Sequence, residues 1–163
     1  MGVPQKRERV FFIGHKKELD FDNLKLRFAE PPILYGEFAD GSCLPLNKGT
    51  MAYERWLQRT KRDKTVGDTV KREEDGKISG FTINYVHLNE VPRTITAGNR
   101  PIRFDKPGRV SDKDVFAIQS FPQDYECKAI DPIYVCGMSV PPVMMANIAS
   151  EIYDQWLKGE KNV

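Results

Sequence analysis

Four apolar residues in a row, Val10-Phe11-Phe12-Ile13, follow a polar, basic stretch and stop at Gly14. A run this short with no polar position predicts a strand buried on both faces, and such a strand needs neighbours in a sheet. At the far end, Pro141-Pro142 precede Met144, Ile148, Ile152 and Trp156, spaced four apart. That spacing predicts a helix with one apolar face, its prolines in the first turn where a missing N–H costs nothing. One strand and one helix face cannot complete a parallel sheet. The isolated chain is therefore expected to expose sheet edges and apolar surface, which favours a partner chain or a truncation.

Between these ends the pattern is weaker. Asp20 to Pro32 reads as a loop or short irregular helix, and Ile33–Phe38 is a candidate strand. Met51–Gln58 predicts a short helix, followed by a charged stretch, Arg59 to Asp75, poor in apolar residues and read as a mobile loop. Phe81, Ile83 and Tyr85 alternate with Thr82, Asn84 and Val86, which predicts a half-buried strand over 81–88, with Thr94–Ala97 a second candidate. Trp56, Phe81 and Tyr85 could stack bases, although a half-buried strand accounts for the latter two. Ser111-x-x-Asp114 ahead of Val115, Phe116 and Ile118 resembles a capping box and predicts a helix over 112–120, stopped by Pro122.

A formal net charge of +2 hides segregation: residues 1–17, 51–72 and 91–113 each carry net +4. Such stretches fit a polyanion-facing surface, although on charge alone ordinary solvated faces are the plainer account. The 163 residues suit one domain or two partial ones, and no apolar run is long enough to cross a bilayer. Met1 to Arg9 has no apolar segment of the signal-peptide kind, so a cytoplasmic place and no membrane partner are expected. Cys43, Cys127 and Cys136 are odd in number and contain no Cys-x-x-Cys, so neither a disulfide framework nor a zinc site is indicated. His15 and His87 lack the acidic spacing of a metal site, and no metal is expected.

Gln5, Arg7 and Arg9 alternate, so an extended backbone would send all three from one face as a polar comb. Guanidiniums beside an amide can clamp phosphates and reach a base edge; a solvated strand start is the plainer account from periodicity. Gly2-Val-Pro-Gln-Lys-Arg-Glu-Arg-Val-Phe-Phe-Ile-Gly14 resembles the Gln-x-Arg-x-Arg block of DNA cytosine-5 methyltransferases. Pro92-Arg-Thr-Ile-Thr-Ala-Gly98, with Arg109 and Ile118-Gln-Ser-Phe-Pro-Gln-Asp-Tyr125, resembles that family's ninth block. Gly137-Met-Ser-Val-Pro-Pro142, with the helix after it, resembles the tenth, and residues 18–90 fall in the variable target-recognition region. The sequence departs from the pattern at Met138, where Asn is usual, at Lys113-Asp114 for Arg-Glu, and at Ala117 for a frequent Arg.

The resemblance implies roles. Gln5, Arg7 and Arg9 would lie at the active-site cleft on the flipped cytosine and its backbone, and Arg109 would organise the recognition domain. Ser139 and Val140 would line the S-adenosylmethionine pocket, with Ser139 at the N-terminus of the last helix. No catalytic residue is assigned, because the chemistry needs a thiolate to add to the ring and an acid to protonate it. No cysteine here follows a proline, and no Phe-x-Gly-x-Gly loop is present to hold the donor. Asn89-Glu90-Val91 has the letters of the family's Glu-Asn-Val in the wrong order and place, so Glu90 reads as a surface loop residue.

The resemblance therefore implies an α/β fold: the C-terminal part of a Rossmann-like methyltransferase domain plus a small mixed target-recognition domain. Residues 1–17 would end the catalytic domain, 18–127 form the recognition region and 128–163 return to the catalytic domain. The expected function is a fragment or subunit of a DNA cytosine-5 methyltransferase. It would bind duplex DNA, share S-adenosylmethionine with a protein partner carrying the N-terminal catalytic blocks, and be inactive alone. The alternative is a non-catalytic DNA-binding module or truncated remnant.

Overall fold

A computed structural model describes residues 1–73, 76 and 83–158. Its centre is a four-stranded mixed sheet of very short strands: β1 (Cys43–Pro45), β2 (Tyr85–Val86), β3 (Ile102–Arg103) and β4 (Gly108–Val110). Their order is β1-β4-β3-β2; β4 runs antiparallel to both its neighbours, and β2 and β3 are parallel. Among the described residues five α-helices accompany it: α1 (Met51–Gln58), α2 (Val66–Glu73), α3 (Asp112–Ile118), α4 (Pro132–Met138) and α5 (Pro142–Ile152).

Adjacent strand residues point to opposite faces, and that alternation divides the core in two. Val86 and Val110 join Tyr35, Ile95, Val115, Ile118, Ile133 and Cys136 in one cluster. Tyr85 and Ile102 join Leu46, Val66 and Val70, with Tyr53 and Trp56 of α1 packed against them. The helices α1 and α2 thus cover one face, and α3, α4 and the turn around Tyr35 cover the other.

Helix α1 forms over the predicted residues, capped by the Thr50 hydroxyl on the Tyr53 N–H at 3.4 Å. The expected mobile loop after it instead contains α2. Thr65 Oγ1 accepts from the Asp68 N–H (3.1 Å) and the Asp68 carboxylate accepts from the Thr65 N–H (2.7 Å), a reciprocal capping box that offsets the low apolar content. Ile33–Phe38 is not a strand: a 3-10 turn over Tyr35–Glu37 drives Tyr35 inward, fully buried. Thr94–Ala97 makes only an isolated bridge, Thr96 to Asn99. Of the strand expected over 81–88 only Tyr85–Val86 forms; Phe81 and Thr82 lie outside the described residues.

Val10–Ile13 is also not a buried strand, since Val10 is 80% and Phe12 97% exposed. No described strand pairs with this run; Phe11 and Ile13 are half-buried, while Val10 and Phe12 face solvent. Pro132–Leu157 corrects another expectation, being by length and composition apolar enough to cross a bilayer. It is nevertheless broken at Ser139 (ψ 162°) and Pro141 (ψ 126°), which separate α4 from α5. Met144 and Ile148 of α5 are buried within this chain, while Trp156 stacks on Phe21 at 5.4 Å and donates to Asp22 O at 2.8 Å.

Candidate functional site

Backbone pairing first brings the N-terminal segment to residues 92–96. The Lys6 N–H donates to Pro92 O at 2.8 Å, Lys6 bridges Arg93 in parallel, and the Thr94 hydroxyl donates to Lys6 O. Side chains at positions 5 and 7 then point inward rather than out as a comb. The Gln5 amide donates to Ile118 O (3.1 Å) and Gln119 Oε1 (2.5 Å) and accepts from the Ile95 N–H (3.1 Å). Arg7 donates to Ile95 O (3.0 Å), Gly137 O (2.9 Å) and Ser139 O (2.8 Å).

Gln119 closes the circuit, its amide donating to Ser139 O (3.0 Å) and Ser139 Oγ (2.9 Å), and the Ser139 hydroxyl donates to Cys136 O at 3.2 Å. Three segments far apart in sequence, 5–7, 95–119 and 136–139, therefore meet in one buried polar hub. Gln5, Arg7 and Gln119 are each at most 6% exposed. Gly137 is required at this joint: a Cβ there would lie 2.2 Å from the Ala97 N. Arg7 has no carboxylate partner among the described residues; besides Ile95 O it takes carbonyls at the C-terminal end of α4, where a cation is favoured. Burial, and after it the Arg9 charge, lower its pKa from the usual guanidinium value.

Arg9 is exposed, with its guanidinium on Glu8 O at 2.6 Å. Of the three alternating residues, two are committed to the hub and one reaches solvent. Ser139 caps the C-terminus of α4, and Pro141 takes the N-cap of α5, so Ser139 does not start the last helix as expected. Its carbonyl and hydroxyl both serve the hub, and Val140 beside it is 37% exposed.

Arg109 lies half-buried in β4, opposite Leu44 of β1 and Ile102 of β3. A second buried cation, Arg103, was not apparent from the sequence. It grips Asp105 with two bonds (3.0 and 2.9 Å), donates to Ser42 O at 3.0 Å, and approaches Asp114 to 3.8 Å. Asp114 accepts from the Tyr35 hydroxyl and, at 2.9 Å, from the Asp40 N–H. Burial nonetheless pushes the Asp114 carboxyl above its usual range, and burial with the Asp114 bond raises the Tyr35 phenol. Only the alternation of β3 could have signalled Arg103, and a two-residue strand is too short to show it.

Much of the segregated charge is neutralised internally. Arg100 pairs with Asp112 (2.6 Å) and Asp131 (3.3 Å), Arg72 with Asp63 (3.1 Å), and Lys64 with Glu90. Arg59 lies 3.5 Å from the Trp56 ring centroid and 4.7 Å from that of Phe104, donating to Phe104 O at 2.9 Å. Lys61 and Arg62, between α1 and α2, are exposed and have no partner among the described residues. His87 stacks on Phe104 at 4.1 Å, with Nε2 3.0 Å from Asp63 O, and His15 packs edge-on against Phe21 and Trp156. Among the described residues no group of three His, Cys, Asp or Glu side chains could hold a metal ion.

A family model described as C-5 cytosine-specific DNA methylase matches residues 1–154. No curated protein and no solved structure matches the chain.

Proposed function

The chain belongs to the C-5 cytosine-specific DNA methylase family, whose members methylate cytosine in DNA with S-adenosylmethionine, and from that premise we propose that it is the DNA-recognition portion of such an enzyme. The supporting observation is the hub of Gln5, Arg7, Gln119 and Ser139, which locks the resembling segments together while leaving Arg9 at the surface. In this reading Gln5 and Arg7 position the segment and Arg9 contacts DNA near the target cytosine. Arg109 steadies the recognition sheet from β4, and Ser139 and Val140 border the donor pocket.

Methyl transfer to C5 needs a thiolate to add to the ring, and no Pro-Cys or Phe-x-Gly-x-Gly occurs here. The nucleophile and most of the donor site therefore come from a second protein segment. Val10, Phe12, Met138 and Val140 are exposed and lie within a few residues of the hub in sequence, and in this reading they belong to the surface that segment covers. Ile148 is buried within this chain and has no part in that contact. A DNA-binding module without catalysis is the second reading, favoured by Arg9, Lys61 and Arg62 being exposed independently of any donor site.

Sedimentation with a chain carrying Phe-x-Gly-x-Gly, Pro-Cys and Glu-Asn-Val separates the two. A complex lost on Phe12→Asp or Met138→Asp supports the split enzyme. Failure to associate while DNA is still bound supports the module.

A further inference from the structure

The turn from His87 to Glu90, whose Asn-Glu letters carry no catalytic meaning, is held more firmly than a surface turn requires. The Glu90 N–H closes it on His87 O at 3.2 Å. Tyr35 N–H donates to Glu90 O at 3.0 Å and Gly36 N–H to Leu88 O at 2.8 Å, so the carbonyls on both sides of Asn89 are clamped. The approach is close enough that a Cβ on Gly36 would sit 2.8 Å from Leu88 O. Across from this turn runs the α1–α2 loop, fixed in the same way. His87 Nε2 meets Asp63 O, Lys64 pairs with Glu90, and the Asp63 carboxylate accepts from the Thr60 N–H (2.9 Å) and the Thr69 hydroxyl (3.0 Å).

Between turn and loop lies a notch of about 270 Å³, bordered by Lys61, His87, Asn89, Phe104 and two carboxylates already paired, Glu90 with Lys64 and Asp105 with Arg103. Its floor is rigid, because Phe104 carries His87 stacked on it and the Arg59 guanidinium near its ring. Its rim is chemically free at two positions: Asn89 and Lys61 border the notch, are exposed and have no side-chain partner among the described residues, and Arg62, likewise exposed and unpartnered, follows Lys61 in the chain. The Lys64 bond holds the Glu90 carboxyl below its usual range.

An exposed amide on a clamped turn, with its donor and acceptor unused and a free cation beside it, matches DNA chemistry at two points. An amide pairs with the N6 and N7 of adenine in the major groove, and cations pair with the phosphates on either side. We propose that this notch reads the DNA target, with Asn89 on an adenine edge and Lys61 and Arg62 on flanking phosphates. The proposal rests on the chain binding DNA as its function requires, and adds which residues choose the sequence.

The test is selection from a pool of short duplexes with randomised positions, using the whole chain. Wild type should enrich adenine at one position. Asn89→Ala should lose that preference by roughly tenfold or more while affinity for unselected duplex and the melting temperature stay unchanged. Asn89→Asp should move the preference toward cytosine, whose amino group a carboxylate accepts. Lys61→Ala should weaken binding on all sequences, with the salt slope falling by about 1. Adenine still selected by both Asn89 variants, or wild-type binding with no preference, overturns the notch as reader while leaving DNA binding intact. No binding to any duplex overturns the functional reading beneath it.

Discussion

Arg7 and Arg9 are two residues apart in a single motif and have opposite environments. Arg7 fills three carbonyls inside the protein, whereas Arg9 bonds only to Glu8 O and faces solvent. Removing Arg7 strands those carbonyls in a buried joint, so Arg7→Ala should cost about 3 kcal/mol of stability in urea unfolding, with weaker DNA binding only as a consequence. Arg9→Ala should leave the unfolding midpoint in place and lower duplex affinity, with the salt slope reduced by about 1. Equal effects of the two on stability would remove the distinction. Alternation along an extended strand was legible in the sequence. What it could not show is which face is the inside, because that depends on Ile95, Gly137 and Ser139, about ninety to a hundred and thirty residues away.

Helix starts repeat this lesson at the next scale. Ser111-x-x-Asp114 was readable as a capping box, and the Ser111 hydroxyl does accept from the Asp114 N–H at 3.1 Å. Yet the Asp114 carboxylate turns away to Tyr35 and Asp40. The reciprocal box is Thr65-x-x-Asp68, hidden in a stretch whose charge suggested a loop. Its three buried residues, Val66, Thr69 and Val70, are enough to seat α2 on the sheet once the cap is made. Thr65→Ala should therefore destabilise the protein by about 1 kcal/mol. Asp63 sets the pH dependence of the same region. Burial alone would raise its carboxyl, but bonds from Thr60, Arg72 and Thr69 outweigh it and hold the pKa below the usual value. The unfolded chain thus takes up that proton first, near its ordinary pKa of about 4. The stabilisation is full above that pH and lost as pH falls through the lower folded value. Melting curves should show this acid-side loss, and Asp63→Asn should flatten it.

At the scale of the whole molecule, the apolar surface that the sequence implied is present, though not where it was expected. Met144 and Ile148 of the last helix are buried by the chain itself, and the exposed apolar groups among the described residues include Val10, Phe12, Met138 and Val140. Four-residue spacing identified an apolar helix face without saying what covers it. The short strands β1, β3 and β4, at two or three residues each, have no periodic signal long enough to read, so most of the sheet was invisible in advance. The family, by contrast, was carried by ordered local motifs that need no tertiary information. The proposed enzyme thus keeps its recognition hub and its chemistry on separate segments. Methyl transfer from tritiated S-adenosylmethionine to mixed-sequence duplex DNA tests this most directly. The purified chain alone should leave cytosine unlabelled, and adding a chain with the Pro-Cys nucleophile and donor loop should restore labelling. Label entering cytosine with this chain by itself would contradict the account.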